Sequence, residues 1–360
     1  MIKRELGSVC SRLSSGKSIR AENINPIGAY PVIGGNGLRG YTDSYNFDGE
    51  CAVIGRQGAA CGNVRYHSGK AYMTEHAVVV CANDDNDTRY LSYLLSIQNL
   101  GRLSAQSAQP GISVKTLSKQ EVCLPPLDKQ KQVSQLLGTI DSKINANTKL
   151  NDYLLQLSTT IFESALKSEC RKELFGDIVE LEDSKRIPLN SRDREQRRGP
   201  YPYYGATSIM GYVDDYLFDD IRILLGEDGS VITDDGRPVL QYVWGKYWVN
   251  NHAHILKPCS DYSLEMLFIA LSRTTISHIV TGAVQKKISQ KNLNTLVLEM
   301  PSPGHVEELC GLFSLYRANI DQNKRLEQLR DALLPKLMAG KIDVSRIDIT
   351  TQSNNHLGDC

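Results

Sequence analysis

The sequence predicts an α/β (α+β) protein: two copies of one globular module, each followed by a long helix. The two helices pair as an antiparallel coiled coil about a pseudo-two-fold axis. Three observations carry this prediction. The first is a repeat of whole-module length. Tyr30-Pro31-Val32-Ile33-Gly34, followed by Gly40-Tyr41, returns as Tyr201-Pro202-Tyr203-Tyr204-Gly205, followed by Gly211-Tyr212. Tyr45 and Phe47 return as Tyr216 and Phe218, His76-Ala77 as His252-Ala253, and Ile112-Ser113 as Ile288-Ser289. A short insertion between Gly229 and Gly245 shifts the register once, and the match then runs on to Leu157 and Leu333. A repeat this long is a duplicated domain, not a solenoid unit of about 20–50 residues. The second observation is that each copy opens with Gly- and Tyr-rich sequence holding short β-prone runs. The third is that each copy closes on apolar residues spaced by threes and fours, the seam of a coiled coil.

In order, residues 1–126 form the first module. Cys51-Ala52-Val53-Ile54 and Ala77-Val78-Val79-Val80 read as buried strands, and Thr88–Ile97 as a short helix. Residues 127–170 form the first long helix, entered after Pro125-Pro126, with a seam of Val133, Leu137, Ile140, Ile144, Leu150, Leu154, Leu157 and Ile161. Residues 171–300 repeat the module, with strands at Ile221–Leu225 and Leu296–Leu298 and a helix at Leu264–Leu271. Residues 301–345 hold the second long helix, entered at Pro301, carrying Leu309, Phe313, Tyr316, Ile320, Leu326, Leu333 and Leu337, and closed by Gly340. Each rod is roughly 60 Å long at about 1.5 Å per residue. Antiparallel pairing is expected to put the modules at opposite ends. Asn147 and Asn323 share one repeat position in mid-seam, where an amide fixes register and orientation at some cost in stability.

No stretch approaches the roughly 18 apolar residues of a membrane span, and the first residues lack the apolar run of a signal peptide. The nine cysteines sit singly, without C-x-x-C or Cys/His spacing. Reduced, mostly buried thiols in a cytoplasmic protein are the expectation. Formal net charge is zero, from 41 basic and 41 acidic residues. The charge is segregated, however. Arg192, Arg194, Arg197 and Arg198 crowd one loop, Lys286, Lys287 and Lys291 another, and the acids gather at Asp214-Asp215 and Asp219-Asp220. A neutral molecule can therefore present a basic face.

Catalytic motifs are absent. Gly34-Gly35-Asn36-Gly37 lacks the Lys-Ser/Thr of a phosphate loop, and its repeat, Gly205-Ala206-Thr207-Ser208, keeps few glycines. His76 and His252 read as hydrogen-bonded residues at strand starts without a fixed carboxylate partner. Glu227-Asp228 and Asp234-Asp235 read as turns with solvated acids, and no metal site is expected.

The two copies agree at Gly, Tyr, Pro and apolar positions and differ at polar loop positions. Asn36, Leu38 and Arg39 stand opposite Thr207, Ile209 and Met210. Arg56-Gln57 stands opposite Glu227-Asp228, and Gln109-Pro110-Gly111 opposite Gln285-Lys286-Lys287. One scaffold with two polar surfaces suits recognition of two different sequences, since Arg, Asn and Gln read base edges. Drift of solvated loops after duplication is the alternative at any single pair. The candidate DNA contacts are Lys17, Asn36, Arg39, Arg56, Gln57, Gln109 and Lys115 in the first copy. In the second they are Arg192, Arg194, Thr207, Ser208, Gln285, Lys286 and Lys287.

In Tyr30–Tyr41 with Ile54-Gly55-Arg56-Gln57-Gly58, in Tyr201–Tyr212 with Gly245–Ala253, and in the closing Leu333–Asp343, the chain resembles specificity subunits of type I restriction–modification systems. The resemblance covers nearly the whole chain and rests on the order of its segments. It implies two target-recognition domains, each followed by a helix of a coiled coil, and a non-catalytic DNA-reading role. It implies double-stranded DNA, two methyltransferase subunits and restriction/translocase subunits as partners. S-adenosylmethionine, ATP and Mg would belong to those partners, with no cofactor in this chain. It assigns segments to DNA, not individual base contacts. Two other readings remain beside it: a coiled-coil scaffold whose modules bind protein, and an enzyme using the Gly34–Gly37 loop for a nucleotide.

Overall fold

Both apolar runs of the first module become central strands. Glu50–Gly55 and Ala77–Ala82 pair antiparallel within a sheet ordered Cys10–Ser15, Ala77–Ala82, Glu50–Gly55, Val64–Ser68. Ala52, Ile54, Val78 and Val80 pack on Tyr90, Leu91 and Leu95 of helix Thr88–Ser96, while Cys51, Val53 and Val79 fill the opposite face. This is the two-residue alternation of a strand buried on both sides. Asp87 caps that helix, accepting from the Tyr90 amide at 2.6 Å. A smaller sheet sets Tyr30–Gly34 antiparallel to Gly37–Thr42 and parallel to Tyr72–Met73. Ile2–Glu5 pairs with Glu121–Leu124.

The computed structural model describes residues 2–104, 111–282, 285–303 and 306–344. It divides into two units, residues 1–146 with 322–360, and residues 147–321. The second unit repeats the plan of the first. Its larger sheet is ordered Val179–Leu181, Ala253–Pro258, Arg222–Gly226, Leu240–Val243. Its smaller sheet sets Arg198–Tyr204 between Ile209–Val213 and Lys246–Val249 and adds Phe218–Asp219. Cys170–Leu174 pairs with Val297–Pro301, and Ser263 caps helix Leu264–Arg273.

The long helices are Leu127–Ser168 and Val306–Met338, and each unit takes a part of both. In the first unit Asn323 Nδ2 donates to the Ile144 carbonyl at 3.3 Å and Arg330 pairs with Asp141 at 3.1 Å. Residue numbers rise on one helix as they fall on the other, so the pairing is antiparallel. In the second unit Asn151 Nδ2 donates to the Tyr316 carbonyl at 3.1 Å and accepts at Oδ1 from Asn319 at 2.8 Å. Gly340, at φ 67°, closes the second helix, where the Lys341 amide bonds Lys336 O and the Gly340 amide bonds Leu337 O.

Three expectations are corrected. Leu150 and Leu157 are exposed, and the buried seam runs through Asn147, Asn151, Leu154, Ser158 and Phe162. Each leucine precedes a buried position by one residue, a turn of about 100° around the helix. Pro301 ends a strand, and the helix begins at Val306. Of the eight described cysteines, all free, only Cys51 is fully buried, and Cys123, Cys170 and Cys259 are exposed. Burial pushes the Cys10 and Cys51 thiols up to about 12. Among the described residues no helix is long and apolar enough to cross a membrane.

Candidate nucleic-acid interface

In each module the smaller sheet ends in a tight turn, and this turn carries the residues in which the copies differ most. The first runs Gly34-Gly35-Asn36-Gly37, with Asn36 and Arg39 exposed. Gly35 is required there, since a Cβ would stand 2.8 Å from the His76 carbonyl oxygen. The Arg39 chain folds over Gly34, and the Arg65 guanidinium lies against Gly37. Arg65, exposed on the neighbouring sheet, is a candidate that no sequence spacing marks.

The strand end at Gly55-Arg56-Gln57 lies beside this turn. Asn36, Arg39, Gln57 and His76 line one open hollow with Leu38. Arg56 is held by its backbone: its amide donates to His76 O at 3.0 Å and its carbonyl accepts from Ile112 at 2.9 Å. Among the described residues its guanidinium makes one side-chain contact, with the Ser15 hydroxyl at 3.5 Å. Gln57 bridges to Gly111, which leads into the helix Val114–Ser118 carrying exposed Lys115. Lys17, also exposed, follows the strand that presents Ser15, its amide donating to Met73 O. Gln109 lies outside the described residues.

The second copy keeps the frame and changes the chemistry. The Glu227 amide donates to His252 O and its carbonyl accepts from Ile288, both at 2.8 Å, and Asp228 bridges to Lys287. These are the same bonds made by Arg56 and Gln57. The turn now shows exposed Thr207 and Ser208, then Ile209 and Met210, and Met210 covers Gly205 where Arg39 covers Gly34. Gln285, Lys286 and Lys287 are exposed, with Lys287 Nζ 3.4 Å from Glu227. Arg192 and Arg194 sit on the short helix Ser191–Gln196, and Arg194 stacks over Tyr203. Arg197 leaves the basic loop: it bonds Asp214 at 2.9 Å, approaches Asp215 and stacks on Trp248, so the acids expected elsewhere neutralise it.

Behind Glu227 lies a closed ionic network. Asp183 accepts from the Ile255 amide at 2.9 Å, from Gln290 at 2.6 Å and from His254 Nδ1 at 2.6 Å, while His254 Nε2 faces Ile288 O at 2.9 Å. Both ring nitrogens of fully buried His254 face oxygen atoms, so the ring is held at both ends. Arg186 bonds Glu227 at 2.7 Å and reaches Asp183 at 3.5 Å. Burial alone would raise the Asp183 pKa, but His254, the Ile255 amide and Gln290 outweigh it and hold the carboxyl below the ordinary range. Asp183, Glu227 and His254 stand close enough to share a cation, yet both imidazole nitrogens and both carboxylates already have protein partners.

Two expectations fail at this point. Glu227 and Asp228 are paired, not solvated, and both histidines have a carboxylate neighbour, His252 with Asp228 at 2.6 Å and His76 with Glu75 at 3.4 Å. Repetition does not mark the His252 partner, because Asp228 stands where the first copy has Gln57. Asn147 is buried and Asn323 donates to Ile144, while the Asn151–Asn319 pair is unmarked by the repeat because its members have no asparagine counterparts. A further shared feature is an aromatic pair under a lysine. Tyr30 and Tyr45 lie 4.9 Å apart with Lys70 4.7 Å over Tyr45, and Tyr201 and Tyr216 lie 5.1 Å apart with Lys246 4.5 Å over Tyr216.

Residues 1–156 and 172–329 each match the family described as the type I restriction modification DNA specificity domain. The specificity subunit of the Escherichia coli type I restriction enzyme EcoprrI is 35% identical over 153 residues, covering 41% of this chain and 38% of that protein. The specificity subunit of the Methanocaldococcus jannaschii enzyme MjaIX is 20% identical over 303 residues, covering 72% of this chain and 70% of that protein. The fold resembles the S subunit of a type I system from M. genitalium, with TM-score 0.59 and 21% identity over 93% of this chain and 95% of that one.

Proposed function

Because this chain belongs to the type I restriction modification DNA specificity family, we propose that it is a non-catalytic subunit that reads duplex DNA at two short half-sites separated by an unread spacer. The observation that carries this reading is the repeated frame at Arg56 and Glu227. Identical backbone bonds hold the turn and strand end in both copies, while the displayed side chains change class. The first module offers Asn36, Arg39, Arg56 and Gln57, suited to the acceptors and donors of guanine and adenine. The second offers Thr207 and Ser208 beside Ile209 and Met210, apolar groups suited to a thymine methyl, with Arg192, Arg194, Gln285, Lys286 and Lys287 toward phosphates or base edges. A neutral chain implies that partners supply part of the phosphate neutralisation.

Those partners are two methyltransferase subunits, which would carry S-adenosylmethionine, and restriction/translocase subunits using ATP and Mg. Leu150, Tyr153 and Leu157 form an exposed apolar row on the first long helix, which supports helical docking of such a subunit. Mapping methylated bases in cells expressing the whole system tests the reading. Two half-sites with centres about 10 base pairs apart and a fixed spacer are expected, and a single continuous motif would overturn it.

Arg56→Ala tests the contact surface itself. The guanidinium has one weak partner among the described residues, so the module should remain folded. The assembled methyltransferase should bind all duplexes more weakly, with the salt slope reduced by about one unit, as expected for a phosphate contact. Relaxed choice at one base, worth about 1–3 kcal/mol, would assign Arg56 to guanine instead. Binding unchanged on every duplex at every salt concentration would make it a turn residue only.

A further inference from the structure

A duplicated chain faces a problem of address: two similar modules and two similar helices permit wrong docking. The apolar contacts discriminate little. Val133 and Leu137 enter the core of the first module, and Leu309 and Phe313, at the same repeat positions, enter that of the second. The charged contact beside them is different. In the first unit Arg89, second residue of helix Thr88–Ser96, reaches Asp141 of the long helix at 3.9 Å and bonds Gly138 O at 3.3 Å. Asp141 also accepts from Tyr93, and Arg89 stacks over Tyr66. In the second unit the same two positions hold Glu265 and Arg317, 3.5 Å apart. Tyr242, at the repeat position of Tyr66, donates to Glu265 at 2.7 Å and lies under Arg317.

The pair is therefore present in both copies with its polarity reversed. All four side chains are largely shielded, the most exposed being Arg89 at 26% and the least Glu265 at 7%. We infer that this reversed pair is an address: it lets each module dock on its own long helix and excludes the other. A wrong docking would set Arg89 against Arg317, or Glu265 against Asp141, as like charges in a partly dry contact. Between module and helix either polarity makes one ion pair. The second partner of Asp141, Arg330 at 3.1 Å, comes from the other long helix, so reversal adds nothing to the stability of the module contact itself. Its consequence lies in discrimination, where a repulsive wrong pairing matters as much as an attractive right one.

Full-length variants test this. Glu265→Arg and Arg317→Asp each leave like charges facing, and each should lower the melting midpoint by at least about 3 °C. The double variant E265R/R317D restores a pair, now of the same polarity as Arg89–Asp141, and should melt near the parent. A pair with a merely local role would end there. An address predicts one further effect: the double variant, though as stable as the parent, should refold from denaturant at low concentration with at least about twofold lower monomer yield. A double variant that refolds as well as the parent, or that melts no higher than the single variants, overturns the proposal.

Discussion

Asp183→Ala is expected to destabilise the second unit by about 3–5 kcal/mol and to leave the first unit's transition in place. The carboxylate holds the His254 ring, the Ile255 amide and Gln290 at once, and His254 and Ile255 are fully buried, away from any solvent that could replace it. Removing it leaves the Ile255 amide and the His254 ring without their buried acceptor, the costliest kind of single substitution. Thermal unfolding should split into two steps, the earlier one belonging to the second unit. Asp183→Asn, which keeps shape but loses charge, should fall between the variant and the parent. The parent itself should show a matching pH dependence. Because the folded-state pKa of Asp183 is depressed, its contribution is fully present above the ordinary aspartate value near 4 and is lost as pH falls through the lower folded value. A single unchanged transition in Asp183→Ala would mean that the network is not what holds the sheet edge.

The sequence made this network hard to see, for a physical reason. Asp183 opens a short 3-10 helix, Glu227 follows a strand end and His254 lies within another strand, and their first-copy counterparts are unrelated in charge, so neither spacing nor repetition marks them. By contrast, the strands at Glu50–Gly55 and Ala77–Ala82 and the helices at Thr88–Ser96 and Leu264–Arg273 were legible, because burial imposes periods of two and of three to four. The seam was legible as far as Asn147 and again at Leu154. Between and beyond them Asn151 and Ser158 occupy buried positions that apolar periodicity does not mark, and Leu150 and Leu157 stand one residue off. At the interface, Asn36, Arg39 and Gln57 were marked by the contrast between copies and do share one hollow, whereas Arg65 arrives from a different sheet. Arg197 was marked by local charge density, but Asp214 neutralises it across the hairpin.

Replacing residues 171–300 with a second copy of residues 1–126 should change the target rather than abolish recognition. If each module reads its own half-site, the chain should direct methylation to two copies of the first half-site, in inverted order across an unchanged spacer. The helices are retained, so the contacts that set the spacing are retained as well. The graft, however, brings Arg89 with it and sets it against Arg317. The exchange should therefore assemble better with Arg317→Asp, which recreates the Arg89–Asp141 pairing in the second position, although charge then no longer distinguishes the two dockings, as in E265R/R317D. Without that change, assembly should be poor and methylation weak, yet what remains should still fall on the same inverted site. The two outcomes separate recognition from docking. A new, inverted target in both chains establishes independent reading whatever the yield, while equal yields speak only against the charge address. Methylation that still required the original second half-site would show that residues 171–300 do not carry its specificity.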